Sequence, residues 1–186
     1  MAQVEDAEDF AGVRDGFQRL WTPHRMAYVR GERPSEHPGE GCPFCTVPDR
    51  DNAEGLIVHR GRTCYVVLNL FPYNPGHLLV CPYRHVAPYL DLTEEETAEL
   101  TELTRAALTA LRAASEPAGF NIGMNQGAVA GAGVAAHLHQ HVVPRWGGDM
   151  NFLPVVAQTK ALPMLLEETR RQLVAAWPTG GAPHAQ

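Results

Sequence analysis

Three histidines alternate with single residues in the segment His137-Leu138-His139-Gln140-His141-Val142-Val143. In an extended strand every second side chain points the same way, roughly 6.5–7 Å from the last, so the three imidazoles would share one face. Neutral imidazole is a nucleophile, a general base and a metal ligand near neutral pH. The alternation therefore predicts a β-strand over residues 136–144 whose histidine face carries chemistry, in preference to an incidental polar, half-exposed strand.

The composition is that of one globular domain, because 186 residues with 45% hydrophobic side chains suffice for a core. A net charge of −6 argues against broad non-specific contact with nucleic acid, although one pocket can still bind a small phosphorylated ligand. The start of the chain lacks the pattern of a signal peptide, and no apolar stretch is long enough to span a membrane. We therefore expect a cytoplasmic protein without a membrane or nucleic-acid partner, whose four cysteines are thiols or metal ligands rather than disulfides.

Apolar periodicity along the chain changes between the strand type and the helix type. Apolar, β-branched runs predict four strands besides the histidine strand, at residues 56–58, 64–69, 78–81 and 119–125. Thr93 and Glu96 form a capping-box pattern that predicts the start of a long helix. The apolar residues that follow it at helical spacing are Leu100, Leu103, Ala107, Leu108 and Leu111.

A second helix is predicted over residues 162–177. This order of elements favours an α+β fold with a mostly antiparallel sheet, on which the long helix and the C-terminal helix pack. We expect a single domain over residues 18–177, preceded by a flexible acidic segment, 1–17, and followed by a flexible tail, 178–186.

Two further segments carry chemistry suited to a ligand. The loop from Gly127 to Gly133 has almost no side chains, so the phosphates of a ligand can approach its backbone N–H groups. Such loops also serve merely to turn the chain. In the segment from Asn69 to His77, the asparagine can hold a sugar hydroxyl and the histidine can support the three strand histidines. Asparagine in a turn is also common for local hydrogen bonding.

Cys42-Pro43-Phe44-Cys45 is the other strong local signal. Two thiolates separated by two residues can both reach one tetrahedral ion, and zinc needs two further ligands, for which His85 and His137 are the best candidates. The alternatives are a redox dithiol, disfavoured by the lack of a thioredoxin-like βαβ setting, and two unrelated buried thiols. In a rival interpretation the three strand histidines themselves bind a catalytic metal.

Together these segments resemble the histidine triad (HIT) family of nucleotidyl hydrolases and transferases, whose motif is His-apolar-His-apolar-His-apolar-apolar. Gln140 stands where an apolar residue is usual. The resemblance covers residues 18–175, and the chain is similar to a zinc-containing bacterial branch related to actinobacterial diadenosine tetraphosphate phosphorylases. It implies a HIT-like α+β fold. The collinear segments that carry it are Leu20-Trp21-Thr22-Pro23 with Arg25, then residues 69–77, 82–86, 92–96 and 137–145.

The resemblance implies a covalent mechanism. His139 would attack the α-phosphorus of a nucleotide and form a nucleotidyl-imidazole while the rest of the polyphosphate leaves. His141 would hydrogen-bond the phosphate or the leaving oxygen, and His77 would support and orient the triad. Water as acceptor gives a nucleoside monophosphate, whereas inorganic phosphate gives a diphosphate.

The resemblance also implies the residues that bind the nucleotide. Asn69 would bind the ribose, and Asn125 and Gly127 the phosphate region, with backbone N–H groups near Gly133 stabilising charge on the phosphate oxygens. Many relatives carry Ser or Thr three or four residues before the first triad histidine, where this chain has Gly133 and Val134. The loop must therefore rely on backbone donors or water at that point.

The cofactor and partners that the resemblance implies are a structural zinc ion and a second copy of the chain. Zinc would be held by Cys42, Cys45, His85 and His137, as in zinc-containing members of the family, and the chain would act as a homodimer. The expected substrate is a dinucleoside polyphosphate such as diadenosine tetraphosphate, cleaved by phosphorolysis. The alternatives are an adenosine phosphoramidase or nucleoside-monophosphate hydrolase, and a zinc-stabilised nucleotide-binding module with little turnover.

Overall fold

A five-stranded antiparallel sheet lies at the centre of the fold. The computed structural model describes residues 41–149 and 163–179. The strands lie in the spatial order β1-β2-β3-β5-β4, and every neighbouring pair is antiparallel. Together with the helices this is the predicted α+β architecture. The strands are β1 (Ile57–Arg60), β2 (Cys64–Leu68), β3 (Leu78–Pro82), β4 (Gly119–Gly123) and β5 (Gln140–Arg145).

The described part of the chain holds three α-helices: α1 (Pro43–Thr46), α2 (Glu94–Ser115) and α3 (Leu166–Ala175). The long helix begins as predicted, because the Thr93 hydroxyl accepts from the Glu96 N–H while the Glu96 carboxylate accepts from the Thr93 N–H. Helix α2 packs on β2, β3 and β5, and α3 packs on β1. None of the described helices has the length and apolar character needed to cross a bilayer.

The two faces of the sheet carry separate apolar clusters, which explains why β2 and β3 are apolar throughout. The larger cluster lies under α2 and α3, and each fully buried aliphatic side chain in it contributes about 1.5–3 kcal/mol. The smaller cluster lies on the other face, where Phe44 and Val47 pack against it from the segment before β1. The members of the smaller cluster are Ile57, Tyr65, Val67, Leu79 and Cys81.

The histidine strand is shorter than predicted, since β5 begins at Gln140 rather than at residue 136. Pairing of β3 with β5 ends at Val80 and Gln140. Pro82 has no N–H to continue the ladder, and its carbonyl instead accepts a hydrogen bond from the ring of His137 at 3.0 Å. His137 and His139 therefore lie in the connection that leads into the strand, and His141 lies within it.

Other boundaries differ from the sequence predictions by a few residues. β4 ends at Gly123 instead of residue 125, and α3 starts at Leu166 inside the predicted range. Several predicted features lie outside the described residues. These are the segment 1–17, the motif at Leu20 to Pro23 with Arg25, the predicted helix start at residue 162, and most of the tail 178–186. The predicted domain boundaries therefore stay predictions.

Glu99 joins α2 to the turn between β1 and β2. Its buried carboxylate accepts hydrogen bonds from the Thr63 hydroxyl and from three backbone N–H groups, those of Arg62, Thr63 and Cys64. Burial acts to raise the pKa of this carboxyl, but the hydrogen bonds outweigh it and lower the pKa to about 2. Gly61 is required beside it, because a Cβ there would lie 2.7 Å from a Glu99 oxygen.

Glu99→Gln should lower the free energy of unfolding at pH 7 by on the order of 2 kcal/mol. A carboxyl with a depressed pKa stabilises the fold above its unfolded pKa of about 4.3, and this stability is lost as pH falls toward the folded value. The difference between wild type and variant should therefore shrink between about pH 4.5 and pH 2. Urea unfolding at several pH values measures it, with exposed Glu102→Gln on the same helix as control. A pH-independent difference would contradict this role.

Candidate functional site

Four histidines gather where β5 begins, on the face of the sheet that carries the smaller cluster. His77 precedes β3, and its ring lies 5.1 Å from that of His141 between centroids. The ring of His139 lies 5.0 Å from that of His141 on the other side. His77, His137 and His139 are all buried. The structure thus brings together the triad and the supporting histidine that the sequence singled out.

A hydrogen-bond relay determines which nitrogen of His141 carries its proton. The backbone N–H of Tyr73 donates to Nδ1 of His77 at 3.0 Å, so the proton of neutral His77 lies on Nε2. That Nε2–H donates to Nδ1 of His141 at 2.9 Å. Nε2 of neutral His141 is therefore a donor. Asn69 adds a second donor to His77, since its amide lies 3.3 Å from the same Nδ1.

His139 has the opposite tautomer. Its Nδ1–H donates to the carbonyl of His137 at 2.8 Å, which leaves the lone pair of neutral His139 on Nε2. The ring of Phe44 lies 4.8 Å away between centroids and packs against it. Burial lowers the pKa of His139. Nε2 of His139 hydrogen-bonds no residue in the described ranges, and a neutral imidazole with such an oriented lone pair is a competent nucleophile.

Cys42, Cys45, His85 and His137 form a group whose ligand atoms all lie within 4.8 Å of one another. Nδ1 of His137 lies 3.4 Å from each sulfur, and Nδ1 of His85 lies 3.3 Å from that of Cys45. Because Nε2 of His137 donates to the Pro82 carbonyl, its Nδ1 lone pair faces the sulfurs. The four residues can hold a metal ion. Cys64 and Cys81 are fully buried in strands, as expected of core residues.

The residues predicted to bind nucleotide lie in three different parts of the structure. Asn69 accepts from the N–H of Phe71 and lies beside His77. Asn125 lines a groove of about 330 Å³ that also exposes His141. Gly127 and Gly133 are exposed in the loop between β4 and the histidines. Gly127 has a φ of +81°, which favours glycine, and a Cβ there would meet nothing within 4 Å.

Three residues contribute to the site without having been assigned a role from sequence. Phe44 packs against both His137 and His139, and its position between the two cysteines was an available signal. Tyr73 donates its backbone N–H to His77, a contact that leaves no mark in a sequence, and its ring stacks on that of His141 at 5.6 Å between centroids. Asn121 lies opposite Val143 in the β4–β5 register and so shares the face of His141, but that requires the strand pairing to be known.

Comparison with known proteins identifies the family to which this sequence is similar. A family model described as "HIT domain" matches residues 50–148. A Mycobacterium tuberculosis protein named AP-4-A phosphorylase is 49% identical over 172 residues, covering 89% of this chain and 87% of that protein. The bis(5'-nucleosyl)-tetraphosphatase (asymmetrical) of Schizosaccharomyces pombe is 30% identical over 129 residues, covering 69% and 67%.

A solved structure is similar as well. The zinc-bound histidine triad family protein of Mycobacterium smegmatis superposes with a TM-score of 0.58 at 27% identity, covering 74% of this chain and 93% of that one.

Nitrogen-15 NMR of the histidine side chains at pH 7 should place the proton on Nδ1 of His139 and on Nε2 of both His77 and His141. Burial, with a smaller contribution from His139, lowers the pKa of His141 to about 4. A histidine with a depressed pKa gains its proton only below that value, so His141 should stay neutral down to about pH 5.5. A cationic His141 at pH 6, or the opposite tautomer of His139, would contradict the relay.

Proposed function

Because the chain belongs to the HIT domain family, we propose that it cleaves dinucleoside polyphosphates at the α-phosphate through a covalent nucleotidyl-histidine and passes the nucleotidyl group to inorganic phosphate. The observation that carries the proposal is the hydrogen bond from Nδ1 of His139 to the His137 carbonyl, which leaves Nε2 as the attacking atom. The name of the relative that is 49% identical supports the choice of substrate and acceptor.

The reaction proceeds in two displacements. The Nε2 lone pair of His139 forms a bond to the α-phosphorus, and the bond from that phosphorus to the bridging oxygen breaks. The oxygen leaves with the bonding electrons as an anionic nucleoside polyphosphate, so a proton donor is not required. A phosphate oxygen then forms a new bond to phosphorus, and the nitrogen–phosphorus electrons return to His139. Diadenosine tetraphosphate and phosphate thus yield ATP and ADP.

The neighbouring residues bind and orient the reacting phosphate. Nε2–H of His141 donates to a phosphate oxygen or to the leaving oxygen, and His77 maintains the tautomer that makes this donation possible. Asn69 binds the ribose. Asn125 and the backbone N–H groups near Gly127 and Gly133 bind the phosphate region.

The donor set fits a structural zinc ion held by Cys42, Cys45, His85 and His137. With zinc bonds of about 2.3 Å to sulfur and about 2.05 Å to nitrogen, a tetrahedral site separates sulfur from nitrogen by about 3.6 Å. Three of the four sulfur–nitrogen distances here are 3.4, 3.3 and 3.4 Å. Zinc would hold His137, whose carbonyl orients His139. A homodimer and a cytoplasmic location stay predictions from the family resemblance.

Purified protein incubated with diadenosine tetraphosphate should release ATP and ADP when inorganic phosphate is present, and chromatography of the nucleotides measures it. His139→Gln should lower the rate by at least about 1,000-fold, because the nucleophile is lost. His59→Gln, which alters a ring stacked on Trp177 of the C-terminal segment, is the control and should turn over normally. A fully active His139→Gln protein would contradict the covalent mechanism. Cleavage of phosphoramidates alone would favour the phosphoramidase alternative.

Metal analysis of the purified protein should find about one zinc ion per chain. Cys42→Ser should lose the ion and lower the melting temperature, because an alcohol is a far weaker zinc ligand than a thiolate. Cys64→Ser, which alters a buried strand cysteine outside the ligand group, should retain the metal. A wild-type protein that is stable and free of metal would reject the assignment.

A further inference from the structure

A groove of about 330 Å³ follows β4 and β5 from His141 in the direction away from His139. The β4–β5 register places Gly123 opposite His141, Asn121 opposite Val143 and Gly119 opposite Arg145. Directly opposed residues of antiparallel strands face the same side, so Asn121 and Arg145 share the face of His141. A Cβ at Gly123 would meet no described atom within 4 Å, so the described residues leave the groove open directly beside the histidine.

The polar groups of the groove are arranged as donors. The tautomer of His141 makes its Nε2–H a donor. Arg145 donates to the side-chain oxygen of Asn121 at 2.7 Å, and the NH₂ end of that amide, which bonds no other described residue, can donate to a ligand. The hydrogen bonds of Arg145 to described residues use three of its five N–H groups.

Acidic groups are absent among the described residues that line the groove. The nearby carboxylate of Asp149 accepts hydrogen bonds from Arg145, from the amide of Asn74 and from the N–H of Trp146. These donors hold the pKa of Asp149 far below its usual range. Although the net charge of the chain is −6, a groove whose polar groups are hydrogen-bond donors suits an anion rich in oxygen atoms.

We propose that this groove binds the phosphates on the leaving side of the reacting phosphorus, with Asn121 and Arg145 as its binding residues. The proposal rests on the proposed function. In the first displacement the groove binds the phosphates of the departing nucleoside polyphosphate. In each displacement the entering and leaving groups lie on opposite sides of phosphorus. Because His139 leaves in the second step, the acceptor must approach from the opposite side, which is the side by which the first leaving group departed. Inorganic phosphate therefore occupies the same groove, which favours phosphate over water as acceptor.

Asn121→Asp tests this role, because it puts a carboxylate beside the phosphate without changing the size of the side chain. Steady-state phosphorolysis of diadenosine tetraphosphate by the full chain gives the KM for inorganic phosphate and the ratio of ADP to AMP formed. We expect the KM for phosphate to rise about tenfold or more through like-charge repulsion, with AMP replacing ADP as water takes over. Asn121→Ala, which removes the donor without adding charge, should raise this KM about threefold.

Asn52→Asp is the matched control. Asn52 is also exposed and accepts a hydrogen bond from an arginine, Arg60, at 2.7 Å, but it lies before β1 at the other edge of the sheet. Its substitution should leave the KM for phosphate and the product ratio unchanged. The proposal is overturned if both Asn121 variants retain the wild-type KM and product ratio, or if Asn52→Asp shifts them equally.

The Asn121 variants separate this proposal from the proposed function, because wild-type kinetics in both would leave phosphorolysis standing and overturn only the groove. AMP and ATP formed by the wild-type protein at every phosphate concentration would keep cleavage at the α-phosphate, but would overturn both phosphate as the acceptor and the groove as its site. Failure to release ATP from diadenosine tetraphosphate would overturn both proposals.

Discussion

The hydrogen bond from Nδ1 of His139 to the carbonyl of His137 is the contact on which the rest of the site depends. It fixes the tautomer of His139, leaves the lone pair of that ring on Nε2, and links His139 to the residue whose ring lies beside the two cysteine sulfurs. His137 can contact both the cysteine pair and His139, because its ring makes the first contact and its backbone carbonyl makes the second. Its Nε2 donates to Pro82 and its Nδ1 faces the sulfurs, while its carbonyl orients His139. His137 is thus the one residue that contacts both the cysteine pair and His139 through these hydrogen bonds.

The early end of β3–β5 pairing makes this arrangement possible. In a regular strand the carbonyl of residue 137 would pair with a neighbouring strand, and three alternating imidazoles would stand in one row. Pro82 interrupts the ladder, and the Leu138 N–H bonds the carbonyl of Val86 instead. The three histidines consequently have three different environments: one beside the sulfurs, one against Phe44, and one at the mouth of the groove.

The sequence predicted the elements whose causes are local. The capping box of Thr93 and Glu96 and the apolar spacing after it predicted α2, and the antiparallel strands followed from apolar runs between turn residues. The Cys-x-x-Cys spacing and zinc chemistry also suggested that His85 and His137 complete a metal site, across 95 residues in the case of Cys42 and His137. The start of β5, the backbone donor of Tyr73 and the face of Asn121 were not predictable, because each depends on strand register or on a main-chain atom.

The proposed nucleophilic role of His139 is tested most directly by trapping the proposed covalent intermediate. The wild-type protein should be mixed with diadenosine tetraphosphate in the absence of inorganic phosphate, quenched within the first turnover, digested under conditions that preserve phosphoramidate bonds, and examined by tandem mass spectrometry. An AMP group on the imidazole of His139 is the expected result. Rapid release of ATP with His139 unmodified, or with the AMP group on His141, would contradict the mechanism that we infer from the hydrogen bond of His139 to the His137 carbonyl.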